Sequence, residues 1–375
     1  MKSEHDPLRR RLLMAGVGSV LSVTLGTGPS RAAALRSPAD APENAQLRKL
    51  LGDTAVSILS YASLAPSGHN AQPWVVDIVE REHWRIGTRR EHWLPAVDPR
   101  NRETLLSVGA FLENLIVAAG VLGRTIDYEV MADSAFDPAL IDLHLQQADP
   151  VSYPLQRLQE RRTLRTGYRN ELLRMDDIRS VTGGAAEFTY FPRDSKAARY
   201  LAEVTIAANR AQVYREPAQV ELANWIRWSK KEQQRRRDGL TPAGMEIDGL
   251  AGWYVSTFYD RDDVLTPSFR EAGIKQVVER VTQGAGWMVM SGPESVPGLI
   301  ETGRRLQRMW LLLREHSIAI HPMSQALEET SDPRVLAREL GLDDVPQFLL
   351  RIGYVQTYPD AVSPRMAASW FTRTG

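Results

Sequence analysis

The chain has 375 residues, too many for one ordinary hydrophobic core, and so implies two units or one duplicated unit. With 46 Lys+Arg against 46 Asp+Glu, its balanced charge excludes a general electrostatic attraction to nucleic acid or to a membrane surface. The lack of cysteine excludes disulfides, thiolate catalysis, iron–sulfur clusters and Cys-type zinc sites, and the seven histidines, without HxH or HExxH spacing, argue against a structural metal.

Residues 1–34 read as a targeting segment. Arg9-Arg10-Arg11 is followed at once by Leu12-Leu13, then by the mildly apolar Ala15–Gly28, then by Arg31 and Ala32-Ala33-Ala34. The order basic, apolar, small resembles a twin-arginine export signal, which implies a twin-arginine translocase as transient partner and a periplasmic or otherwise exported location. The other reading is a basic tail without structure. Because that route carries folded proteins, often with a cofactor already inserted, a cofactor protein is the favoured cargo.

Residues 35–46, rich in Pro, Ala and Asn, predict a linker. Apolar residues at helical spacing over 47–64 predict a helix, broken at Ala65-Pro66-Ser67-Gly68-His69-Asn70. Trp74 to Val79 predicts a buried strand, with His83 to Ile86 as its hairpin partner. A long apolar helix follows over 103–122, then strands at Ile126–Val130 and Leu140–Leu145. Met175 to Val181 predicts a further helix. Near the other end, Gly286–Met290 predicts a strand and 296–315 a second long helix around Gly303. A shift of 194 residues lays Leu105 on Leu299, Gly109 on Gly303 and the Ile126 segment on the Ile320 segment. Leu140–Leu145 then answers to Phe348–Ile352. This predicts two divergent halves, 47–152 and 153–375. The intervening stretch 229–275 reads either as a mobile lid or as a surface insertion.

The sharpest motif is Ala65-Pro66-Ser67-Gly68-His69-Asn70-Ala71-Gln72-Pro73-Trp74. The prolines hold the backbone, Gly68 permits close approach or positive φ, and Ser67, Asn70 and Gln72 offer directional hydrogen bonds. Read plainly, it is a helix-ending turn with a satisfied Asn. It also resembles the APSxxNxQPW signature of the nitroreductase family, in which this turn edges along a flavin ring. Arg161-Arg162-Thr163-Leu164-Arg165-Thr166-Gly167-Tyr168 resembles that family's RRSxRxF motif, whose basic residues and hydroxyl hold the FMN phosphate. Guanidinium forks match phosphate oxygens. The resemblance implies Arg161, Arg162, Thr163 and Arg165 as phosphate ligands, closed by Arg365. It also implies Ser324 and Gln325 near the ring.

The order of these motifs is inverted relative to a standard family member. The turn comes first, without an arginine motif ahead of it in residues 41–50. The arginine motif opens the second half, where Gly183-Gly184-Ala185-Ala186 stands in place of the turn. The chain therefore resembles the duplicated subgroup typified by mycobacterial stress-induced nitroreductase-like proteins. This implies an α+β, nitroreductase-like fold in which one chain mimics a dimer around one composite FMN site.

No residue of these motifs is a strong acid–base catalyst. The implied chemistry is the cofactor's, passing hydride or electrons from an unknown donor to a nitroaromatic, quinone or similar small-molecule acceptor. Export would remove the protein from a maintained nicotinamide pool, which argues against NADH and NADPH as main donors. Two other readings stay open: a flavin-sequestering or redox-sensing binding protein, and an exported solute-binding protein with no cofactor.

Overall fold

The computed structural model describes residues 41–374. The proposed export signal lies outside the described residues. The expected helix over 47–64 forms as two, Ala45–Leu51 and Asp53–Ala62, divided at Gly52. Gly52 takes φ 87°, in the left-handed region that glycine enters without a Cβ penalty.

Two antiparallel sheets follow. The first contains β1 (Trp74–Glu80), β2 (His83–Thr88), β3 (Arg124–Val130) and β4 (Ile141–Gln147), in the order β3-β4-β2-β1. The second contains β5 (Phe188–Pro192), β6 (Gly286–Ser291), β7 (Ile318–Pro322) and β8 (Pro346–Tyr354), in the order β7-β8-β6-β5. The two orders are the same once β1 is equated with β5, β2 with β6, β3 with β7 and β4 with β8. The joints differ. β1 turns into β2 through Arg81 and Glu82 alone, whereas residues 193–285 separate β5 from β6. That stretch carries the helices Lys196–Tyr214, Glu216–Trp225 and Pro267–Arg280, which no motif had announced.

A final strand, β9 (Thr372–Thr374), pairs parallel with β1. The C-terminus thus returns to the first sheet, so the expected boundary at 152/153 does not separate the halves in space. Phe371, just before β9, packs edge-on against Phe111, which in turn stacks on Trp74 at 4.9 Å.

Between the sheets lie the two long helices Arg102–Val121 and Val296–Leu313. The first is apolar and long enough to cross a membrane, yet 78% of its most apolar window is buried inside the protein, as in a core helix. The two helices touch backbone to backbone. A Cβ placed on Gly109 would lie 2.0 Å from the Ile300 carbonyl oxygen, and one on Gly303 would lie 2.1 Å from that of Leu106. Both glycines, and both carbonyls, are related by the 194-residue shift, so the contact is reciprocal. Any side chain there would force the helices apart.

Polar groups flank this crossing. Glu113, 3% exposed, accepts from Arg304 and Arg308, and Gln307 Nε2 donates to Asn114 Oδ1 at 2.7 Å. A charge so buried would be costly alone; two guanidiniums and paired amides offset the lost hydration.

Candidate functional site

A cavity of about 360 Å³ opens beside the helix crossing, floored by Leu106, Ser107 and Ala110 of one helix and Leu306 and Trp310 of the other. Its volume falls in the range of small-molecule sites. Of the sequence-nominated residues, Pro66, Ser67, Gly68, Asn70, Arg161, Arg162, Thr163, Arg165, Ser324, Gln325 and Arg365 all line it. They come from four segments distant in sequence.

The 65–72 turn is built differently from the expectation. Positive φ falls on His69, Asn70 and Gln72, not on Gly68. Gly68 shows the close approach that was the other role expected of it: a Cβ there would lie 3.0 Å from Leu94 Cδ1 and 3.6 Å from Glu103 Oε2. Ser67 Oγ accepts from the Gln72 amide at 2.9 Å and closes the turn. Gln72 does not line the cavity. It is fully buried, its Nε2 donating to the Arg237 carbonyl at 2.8 Å and its Oε1 accepting from the Met366 amide at 3.0 Å. Gln72 thus acts as a clamp beneath the turn.

Asn70 lines the cavity, but its amide is committed to protein. Nδ2 donates to the carbonyls of Gly239 and Pro364, and Oδ1 accepts from Arg365 Nη1. Its backbone carbonyl accepts from the Gly239 amide at 3.0 Å. One side chain therefore knots the turn, the 237–241 segment and the C-terminal segment. Arg365, 2% exposed, also donates from Nη2 to the carbonyls of Leu64 and Ala65.

The arginine motif forms the basic end. Arg161 stacks over Trp310, 4.7 Å from the ring centre, and donates to the Leu64 carbonyl at 2.9 Å. Arg162 Nη1 donates to the Asp360 carbonyl, and Arg165 Nη1 to that of Gly244 at 2.6 Å. Burial lowers Arg161 and Arg165 to about 10, so both stay protonated at neutral pH. Sequence reasoning missed Arg280 and His321, which also line this end. His321 is held well below its ordinary value by burial and by Arg351, Arg165 and Arg280, and is neutral. These acceptors are mostly carbonyls, not carboxylates, which leaves the end with net positive charge suited to an anion.

The opposite end is acidic, and no motif pointed to it. Glu103 lies in the first turn of the first long helix and Glu328 in the short helix Gln325–Glu329; both line the cavity. Burial, opposed by Arg102 and reinforced by Asp98, raises Glu103 to about 7; burial and Glu103 raise Glu328 well above the carboxylate range. Like charges in a desolvated place cannot all ionise. Between the two ends, Gln325 Oε1 is a buried acceptor with no hydrogen-bond partner among the described residues.

Part of the 229–275 stretch faces the cavity. Gly239, Leu240, Thr241 and Gly244 form a wall of the cavity. Glu246 accepts from the Arg165 amide at 2.8 Å, and Trp228 and Val264 anchor a small core of their own.

With this geometry in place, known proteins give the following comparison. The chain is 27% identical over 325 residues to the "Probable NAD(P)H nitroreductase PigM" of Serratia sp. (strain ATCC 39006), a match that takes in 79% of this chain and 86% of that protein. Among solved structures it is similar to the FMN-dependent nitroreductase NfnB of Mycobacterium smegmatis, in complex with NADPH, at 18% identity and a TM-score of 0.37, over 59% of this chain and 96% of that one. No protein-family model matches.

Proposed function

We propose that this chain is an FMN-dependent oxidoreductase of nitroreductase type, with the flavin held in the two-ended cavity. The carrying observation is that the 65–70 turn and the 161–165 arginine run line one cavity although they lie far apart in sequence. The relative named as a nitroreductase supports the same reading.

The residues present fit such a group. Arg161, buried, and Arg165, half-buried, both protonated and lining the cavity with Thr163, supply donors for a phosphate dianion. Gln325 Oε1 offers an acceptor to a ring N–H. When bound, FMN supplies the electron and hydride chemistry. The chain's own residues then position it: Trp310 and Leu306 exclude water from the floor, and the turn fixes one border. The acceptor in this reading is a nitroaromatic, quinone or similar small molecule.

Three finer elements belong to the proposal. The matching strand orders and the reciprocal glycine contact support two fused, divergent halves, so that one chain does the work of a dimer. The arginine-rich N-terminus supports export by the twin-arginine route; undiminished export after replacing Arg9, Arg10 and Arg11 by Lys would remove that element. The donor is open, because the case against nicotinamides rests on export alone.

Flavin released from denatured protein tests the core of the proposal. One FMN per chain is expected, and Arg161→Ala with Arg165→Ala should weaken its retention at least about 100-fold, since charged hydrogen bonds contribute about 1.5–3 kcal/mol each. Two FMN per chain would refute a single composite site. Protein that neither carries nor takes up FMN would refute the cofactor. Oxidation of the reduced flavoprotein by a quinone or nitroaromatic distinguishes an enzyme from a flavin-sequestering protein.

A further inference from the structure

On the first sheet, His83 of β2 stands opposite His144 of β4, and Arg85 opposite Asp142. Residues two apart on a strand share a face, so all four project together. Ile141, Leu143 and Leu145 bury the other face of β4, which turns this one outward. The imidazole rings stack with centres 4.1 Å apart. His83 Nε2 lies 2.8 Å and 2.9 Å from the two Asp142 oxygens, and His144 Nε2 lies 3.4 Å from Oδ2. One ligand atom from each of the three residues falls within 4.8 Å of the others.

We propose that His83, Asp142 and His144 form a binding site for one divalent transition-metal ion of the zinc class, with an open coordination position toward solvent. Four-coordinate zinc at about 2.0–2.2 Å from N and O ligands sets those ligands roughly 3.4 Å from one another, close to the spacing already present. Two imidazoles and a carboxylate suit borderline ions such as zinc, and not calcium or magnesium, which take oxygen ligands.

The surroundings favour a cation despite Arg85. Arg85 Nε holds Asp142 Oδ1 at 2.8 Å, which orients the carboxylate and leaves Oδ2 for the metal. Across the strands, Asp127 stands opposite His144, Glu129 opposite Asp142 and Asp77 opposite Arg85. With Asp142 these four carboxylates outnumber the two guanidiniums on the face, Arg85 and the Arg373 that stands opposite Asp77. None of the three ligands lines the cavity. An ion here ties β2 to β4, away from the redox site.

The test is titration calorimetry with zinc chloride on chelator-treated full chain, purified without a histidine tag. One zinc per chain is expected. His83→Ala with His144→Ala should weaken binding by about 100-fold or more, given that even outer-shell changes cost about 10–100-fold. Zinc should raise the thermal midpoint of the wild type and not of the variant, whose circular dichroism reports whether it folds. No equimolar binding at micromolar zinc would overturn the site. Equal affinity in a folded double variant would overturn it too, leaving the four residues as a polar ladder on an outward face.

Discussion

The two sheets share a strand order, but what joins their corresponding first two strands is unequal: Arg81 and Glu82 in one, residues 193–285 in the other. The short joint adds nothing to the cavity, to which the first half contributes the 66–70 turn, Glu103 and the floor at Leu106, Ser107 and Ala110. The long joint gives the second half the wall at Gly239–Gly244 and the guanidinium of Arg280. The difference between the two sheets is concentrated at the connection, which adds a wall to the cavity, while the helix crossing has a reciprocal geometry. A core crossing tolerates little volume change, whereas a loop between paired strands accepts insertion at small entropic cost.

The comparison breaks most severely at the crossing itself. Gly109→Ala with Gly303→Ala places two methyl groups against carbonyl oxygens of the opposite helix. A loss of about 3 kcal/mol or more is expected, exceeding the gain of about 1 kcal/mol per residue from helix propensity. Chemical denaturation measures it; two single variants of unequal cost would show that the halves no longer bear on each other equally.

A smaller effect is expected where the halves are knotted. Asn70→Ala leaves Arg365 without one acceptor and removes the side-chain links from the turn to Gly239 and Pro364, at about 2 kcal/mol. Asn70→Asp should retain more stability, because the carboxylate still accepts from Arg365. If thermal unfolding of Asn70→Ala matches the wild type, the knot is not a structural element and the amide is available to a ligand after all.

The smallest effect separates the acidic end from the basic one. Glu103 has a folded pKa raised from 4.5 to about 7, so the native state holds a proton that the unfolded chain has released. Stability is therefore undiminished below about pH 4.5 and declines as pH rises to about 7. Glu103→Gln should flatten that decline and be the more stable protein at pH 8, by on the order of 1 kcal/mol. Unchanged pH dependence would show that Asp98, Arg102 and Glu328 already neutralise the position.

Legibility in the sequence followed the range of the interaction. The hairpin at Trp74–Thr88 and both long helices were readable because alternation and helical spacing are local. The bonds of Gln72 to the 237 and 366 backbone were not readable, because a motif fixes which residues are polar without fixing which way they face once φ is positive. Arg280, Glu103 and Glu328 carried no motif and enter the cavity only through the packing of helices. The zinc-class cluster was hidden for a related reason. Its histidines lie on different strands and become neighbours through register, which no HxH spacing can express.

By itself, then, the sequence determined the local elements, the neutral charge balance and the two motif segments, since each depends on residues within a few turns of one another. Only the tertiary structure decided that the turn and the arginine run share a cavity, that its far end is acidic, and that the C-terminal strand returns to the first sheet. Those facts rest on burial and on contacts between distant segments. Desolvation and register exist only after the chain has folded.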